Sequence, residues 1–232
     1  MLIIGHRGAK AETKPNTIEA VKHAIDSGVD MVEFDVMTTQ DDVPVLHHGL
    51  RFSAWGRKQL PEVLTYDLLK ALRPSTTRLD DVLDLCIEKK VGMDIDIKTR
   101  RVDAIVNTVR EHCKTPDFID NFFFSSHMMR PLKRIQKRWP EAHIATYSLN
   151  PFSWLVRKYR LNLFAVGFPK SQRILIQPLA HKLGLRTYTY SVNNHDLAKK
   201  YKKYGTWAII TNRPSRVIDV AKPSMKKSSK KR

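Results

Sequence analysis

Eight times along this chain a short apolar run gives way to a stretch whose apolar residues recur at helical spacing. The runs fall at residues 2–5, 29–37, 91–97, 122–124, 143–147, 161–166, 185–190 and 207–210, and read as strands. Between them the spacing predicts helices over 16–26, 66–72, 80–89, 101–113, 128–138, 151–159, 172–182 and 194–204, with a last one over 214–220. Asp80 and Asp81 open one helix as caps, and Gly28, Gly184 and Gly205 stand where others stop. Residues 44–47 read as a short extension beyond a turn, and 49–61 as an irregular excursion. Strands that alternate with helices pair in parallel, and eight such units close into a (β/α)8 TIM barrel rather than an open sheet. The expected α/β chain is a single domain over residues 1–221 with a short tail over 222–232.

The tail follows from charge. Of a formal net charge of +18, part is local: Lys222, Lys226, Lys227, Lys230, Lys231 and Arg232 crowd the last eleven residues among Ser, Pro and Met. Such a segment buries nothing and is expected to be disordered. A basic surface attracts anionic lipid, nucleic acid or phosphorylated substrates alike, or simply keeps the chain soluble. Weak contact of the tail with anionic lipid or nucleic acid is the partner expectation it supports. No apolar run exceeds four residues, so no membrane span is expected, and the N-terminus lacks the apolar core of a secretory signal. Cys86 and Cys113 have neither metal nor redox spacing and read as reduced, buried thiols of a cytoplasmic protein. No Gly-rich phosphate loop of the Walker or dinucleotide type occurs.

In a barrel of this kind the working residues sit at the C-terminal ends of strands. His6 and Arg7 follow the first strand directly, and Glu33 and Asp35 lie two apart on the second. Side chains two apart project to one side, so both carboxylates face the interior, and Asp94, Asp96 and Lys98 repeat the spacing on the third strand. Four inward carboxylates repel one another unless something positive lies between them. A hard divalent cation, Ca²⁺ or Mg²⁺, suits oxygen ligands; a carboxylate–lysine network without metal is the alternative. His6 and His48 both emerge at strand ends and suit acid–base work near neutrality. Of the adjacent pair His47 and His48 only one can look inward. His127, at the end of the fourth strand, is the one other histidine with any such context. Phe52, Trp55 and Tyr66 either line the entrance or pack among themselves.

The succession His-Arg-Gly (6–8), Asn-Thr (16–17), Glu-x-Asp-Val (33–36), Thr-x-Asp (39–41), Pro-Val-x-x-His (44–48) and Thr-x-Arg-Pro (211–214) resembles the glycerophosphodiester phosphodiesterase family. Matching segments run from residue 4 to about 214. The resemblance implies a TIM barrel and metal-dependent hydrolysis of a small glycerophosphodiester to glycerol phosphate and an alcohol. It implies that His6 and His48 are the acid–base pair, that Glu33, Asp35 and Asp96 hold one divalent cation, and that Arg7 and Lys98 hold the phosphate. Lipid and glycerol metabolism would be the setting. This chain departs from the family pattern at four places: Pro15 stands for glutamate, Gly49 follows His48 in place of aspartate, Asp96 stands for glutamate, and Asn212 for aspartate. The runner-up is a lysophospholipase D or sphingomyelinase D-like phospholipase, which Asp96 fits as third ligand. From another class comes a barrel without turnover that binds anionic lipid or nucleic acid.

Overall fold

Eight parallel strands close on themselves in the computed structural model, which describes residues 1–49, 52–54, 57–112, 116–148 and 153–220. In chain order the strands are β1 (Leu2–His6), β2 (Met31–Thr38), β3 (Pro44–Leu46), β4 (Phe52–Ala54), β5 (Arg57–Gln59), β6 (Gly92–Ile97), β7 (Phe122–Ser126), β8 (Ile144–Tyr147), β9 (Leu163–Pro169), β10 (Arg186–Tyr190) and β11 (Ala208–Thr211). The helices are α1 (Ile18–Asp26), α2 (Tyr66–Leu72), α3 (Leu79–Glu88), α4 (Asp103–His112), α5 (Met129–Arg138), α6 (Ser153–Lys158), α7 (Arg173–Lys182) and α8 (His195–Lys203). Neighbours around the barrel run β1, β2, β6, β7, β8, β9, β10, β11 and back to β1. The closed (β/α)8 barrel is the architecture that the strand–helix alternation predicts.

Two apolar layers explain the closure. One lies between sheet and helices, where Val32, Phe34 and Val36 of β2 meet residues such as Val21, Leu83 and Val106. The other lies inside the barrel and is built by Ile4, Met31, Phe123, Ala145, Ala165, Tyr188, Ala208 and Ile210. Strand β2 reads Met-Val-Glu-Phe-Asp-Val-Met-Thr and is buried throughout. Its even-numbered apolar residues pack outward, and its odd ones turn inward, apolar at Met31 and charged at Glu33 and Asp35. The barrel thus has an apolar floor and a charged upper storey.

The turn from β1 into α1 depends on close approach. Gly8 has φ of +78°, and a Cβ there would lie 2.4 Å from the carbonyl carbon of Ala20, so α1 passes directly over this glycine. Thr17 caps α1, its side chain accepting from Ala20 N–H at 3.2 Å, with Glu19 in the first turn.

Some sequence expectations change. The predicted last helix over 214–220 is two 3₁₀ turns, Pro214–Arg216 and Ile218–Val220, separated at Val217, whose φ of −127° is not helical. Val217 and Val220 are both buried, and a three-residue spacing suits the tighter helix. The excursion at 49–61 contains the antiparallel pair β4–β5. Strand β3 pairs antiparallel with the end of β2. Helix α3 has Arg78 at its N-cap, while Asp80 and Asp81 sit in its first turn, where they complement the helix dipole instead of capping it. Cys86 lies buried in α3, where burial pushes its thiol up to about 12. Cys113 and the basic tail at 222–232 lie outside the described residues. No helix among the described residues is long and apolar enough to cross a membrane.

Candidate active site

At the C-terminal mouth of the barrel a cavity of about 200 Å³ is lined by His6, Arg7, Glu33, Asp35, His48, Asp94, Asp96 and Lys98, with Ser125, Tyr147, Tyr188, Tyr190 and Ile210. Strand register builds it. His6 lies beside Glu33, Glu33 beside Asp94, Asp35 beside Asp96, and Asp96 beside Ser125, so consecutive strands deliver polar groups at two adjoining levels. All seven residues singled out by sequence as site candidates line this one cavity.

The carboxylates differ in their company. Asp35 is the best compensated: Lys98 Nζ lies 3.1 Å from Oδ1, Arg7 Nε lies 2.9 Å from Oδ2, and Asn16 Nδ2 donates to Oδ2 at 2.8 Å. Burial pushes its pKa up, but Lys98, Arg7 and Asn16 outweigh that and hold it below the usual range. Asp96 accepts from Lys98 Nζ at 2.5 Å and from the Tyr147 hydroxyl at 2.8 Å, yet burial dominates and brings it up to about 6. Glu33 accepts the Arg7 backbone N–H at 2.7 Å, and Asp94 accepts from Ser125 Oγ at 2.6 Å. Burial, with their acidic neighbours, raises both well above the ordinary carboxylate range. The Lys98 ammonium, which burial alone would weaken, is held above its usual range by Asp96 and Asp35.

The histidines arrive differently. His6 Nδ1 donates to the Asn212 amide oxygen, and its Nε2 lies 3.9 Å from Glu33. Burial brings His6 down to about 4, so the ring is neutral at pH 7. Burial also lowers His48, whose Nδ1 is buried with no hydrogen-bond partner among the described residues. Gly49, at the position where the resembled pattern has aspartate, offers no side-chain partner to that nitrogen, and the nearby Asp35 acts on the ring only through its charge. His47 points elsewhere, to Arg73, which donates to its Nε2 at 2.8 Å. His127 is set back behind Tyr147, ring centroids 6.0 Å apart, and does not line the cavity. Tyr66 packs beside Val45, Leu64 and Leu69 with Arg78 over its ring, so it belongs to that satellite cluster and not to the entrance. The side chains of Phe52 and Trp55 lie outside the described residues.

Three carboxylates offer the kind of oxygen donors that a hard cation takes. One oxygen from each of Glu33, Asp35 and Asp96 lies within 4.8 Å of the others. Charge supports the fit: four buried carboxylates face two permanent cations, Arg7 and Lys98, and both histidines are shifted towards neutrality. With all four carboxylates ionised two negative charges would remain, which one divalent ion would offset; without it, burial favours the neutral forms of Glu33 and Asp94. The alternative carboxylate–lysine network is partly present too, because Lys98 already bridges Asp35 and Asp96. It neutralises one charge and leaves Glu33 and Asp94 exposed to each other's repulsion.

Several residues that serve the site escape a reading of residue types. Asn16 was visible only as part of a helix opening, yet its amide holds Asp35. Asn212 was visible as a departure, yet it fixes His6. Tyr147 and Tyr190 end their strands, which is the positional signal that a barrel offers.

The sequence profile of the glycerophosphoryl diester phosphodiesterase family matches residues 6–216. A glycerophosphodiester phosphodiesterase of Bacillus altitudinis is 26% identical, the match covering 94% of this chain and 97% of that protein. A human lysophospholipase D is 24% identical over 75% of this chain, which spans about half (52%) of the human protein. Among solved structures, an Oleispira antarctica phosphodiesterase in complex with the product sn-glycerol-3-phosphate superimposes with a TM-score of 0.81 at 20% identity, covering 95% of this chain and 96% of that one. The Thermotoga maritima glycerophosphodiester phosphodiesterase gives 0.77 at 21% identity, covering 93% and 96%. With a family profile that spans nearly the whole barrel, the chain belongs to the glycerophosphoryl diester phosphodiesterase family and is, with it, a phosphoric diester hydrolase.

Proposed function

We propose that the protein hydrolyses small glycerophosphodiesters to glycerol phosphate and an alcohol, with Glu33, Asp35 and Asp96 holding one divalent cation, Ca²⁺ or Mg²⁺. The observation that carries the reading is the convergence of both histidines, both cations and the three carboxylates on a single cavity. When bound, the cation supplies electrostatic stabilisation to the phosphoryl oxygens. Arg7 and Lys98 orient the phosphate and oppose the charge that develops on it. His6 has its proton on Nδ1, held by Asn212, so Nε2 carries the lone pair that removes a proton from the attacking oxygen. His48, in the protonated form that the negative charge of the bound diester favours, gives a proton to the departing alcohol oxygen. Asn16 and Tyr147 keep Asp35 and Asp96 in place.

Hydrolysis of glycerophosphocholine by the purified protein tests this. Exhaustive chelation should abolish the activity and Ca²⁺ or Mg²⁺ restore it; a rate that survives chelation removes the metal from the mechanism. His6→Ala and His48→Ala should each lower the rate by about 10²-fold. Either variant turning over as fast as the parent would show that its histidine is not part of the acid–base pair. The cavity of about 200 Å³ falls below the roughly 300–1,000 Å³ of drug-sized sites, which favours a small deacylated diester over a lysophospholipid. Lysophosphatidylcholine in the same assay decides that choice.

A further inference from the structure

Beside the catalytic cavity lies a second one of about 240 Å³, and the two share Arg7 and His48 as a common wall. Its other cations are Lys14, in the connection between β1 and α1, and Arg73, the residue that ends α2. No aspartate or glutamate is among the described residues that line it. Pro15 belongs to the same wall, at the position where the family pattern has glutamate, and so adds no negative charge.

This wall is built rather than incidental. Arg73 is half-buried and donates to Nε2 of His47, itself a buried ring, at 2.8 Å. Neighbouring residues of an extended chain face opposite ways, so the segment after β3 turns His48 to the catalytic cavity and His47 to Arg73. The histidine pair therefore serves both cavities. Lys14 is exposed at the rim, where it is open to a ligand.

Guanidinium and ammonium groups gathered around a space without carboxylates attract an anion, and arginine matches phosphate oxygens in particular. The shared wall brings that space within one substituent of the phosphodiester. We infer that the second cavity is a subsite for a phosphate monoester carried on the alcohol portion of the substrate. The inference rests on the diester hydrolysis proposed above, with the alcohol leaving on the His48 side. Its distal phosphate then meets Lys14, Arg73 and Arg7.

A matched pair of diesters tests it: glycerophosphoinositol and glycerophosphoinositol 4-phosphate, which differ only in that group. Their binding to the full-length His6→Ala variant is measured by calorimetry in the presence of Mg²⁺. The phosphorylated diester should bind at least about tenfold more tightly. Lys14→Ala and Arg73→Gln should each shrink that ratio about threefold or more, and Lys14→Arg, which keeps the charge, should preserve it. Equal affinity for the two diesters, or a ratio that neither Lys14→Ala nor Arg73→Gln reduces, overturns the inference. Glycerophosphoserine bound as tightly as the phosphorylated diester overturns the choice of phosphate over carboxylate. Turnover of glycerophosphocholine by the parent protein is followed separately, so an inactive protein counts against the proposed reaction and the binding ratio counts against the subsite.

Discussion

Asn16 takes a left-handed backbone with φ of 58°, and from there its side chain closes a two-bond clasp on Asp35. Nδ2 donates to the carboxylate at 2.8 Å, and Oδ1 accepts the backbone N–H of Asp35 at 3.1 Å. Few residue types manage both, because asparagine tolerates positive φ and offers donor and acceptor on one short stem. Asn16→Ala should lose the clasp and add backbone strain, costing about 2–4 kcal/mol in urea denaturation. Asn16→Gly removes the clasp but not the conformational freedom, so it should be about 1 kcal/mol less costly than the alanine variant. Equal losses for the two would show that the left-handed backbone carries no strain. Both variants should also turn over more slowly than the parent, since Asp35 in turn anchors Arg7 and Lys98.

At the scale of elements, the barrel interior is set by pairs of residues on adjoining strands. Gly167 of β9 faces Tyr188 of β10, and a Cβ on Gly167 would lie 2.5 Å from the tyrosine ring. The missing side chain makes room for a ring that both fills the barrel and lines the catalytic cavity. Gly167→Ala should therefore destabilise by about 1–3 kcal/mol. Combining it with Tyr188→Leu should restore part of that loss in thermal denaturation relative to the sum of the single changes. Simple additivity would mean that the two do not compete for space. Pairs of this kind explain what the sequence could and could not disclose. Strands such as β2 were legible because alternation has one meaning in a barrel, charged or apolar inward and apolar outward. The inward carboxylates were legible for the same reason. The aromatic wall was legible only in part: Tyr147 and Tyr190 end their strands, while Tyr188 looks like a core residue until the neighbouring strands turn it into cavity lining. The final turns were misread as one helix because Val217 and Val220, three apart and both buried, suit a 3₁₀ turn as well as an α-helix. The hairpin of β4 and β5 carries little alternation of apolar residues, Phe-Ser-Ala against Arg-Lys-Gln, so periodicity could not announce it.

For the molecule as a whole, charge is divided by depth. The chain carries a formal +18, while the barrel mouth buries four carboxylates. Positive charge at long range and negative charge at contact do separate work. In the proposed reaction the outer field would draw anions in, and a cation held by the inner carboxylates would let a phosphate settle beside them. Long-range attraction is screened by salt, with a Debye length of roughly 30 Å at about 0.01 M and roughly 8 Å at about 0.15 M. Contacts inside the cavity are screened far less. The rate of capture, kcat/KM, should therefore fall several-fold over that range for an anionic diester such as glycerophosphoglycerol, while kcat changes little. Glycerophosphocholine, whose charges cancel, should show a much weaker dependence. Steady-state kinetics on the two substrates at matched pH and metal concentration separate the cases. An equal response for both would mean that the +18 surface has no part in substrate capture, and that its positive charge must be explained by something other than the reaction.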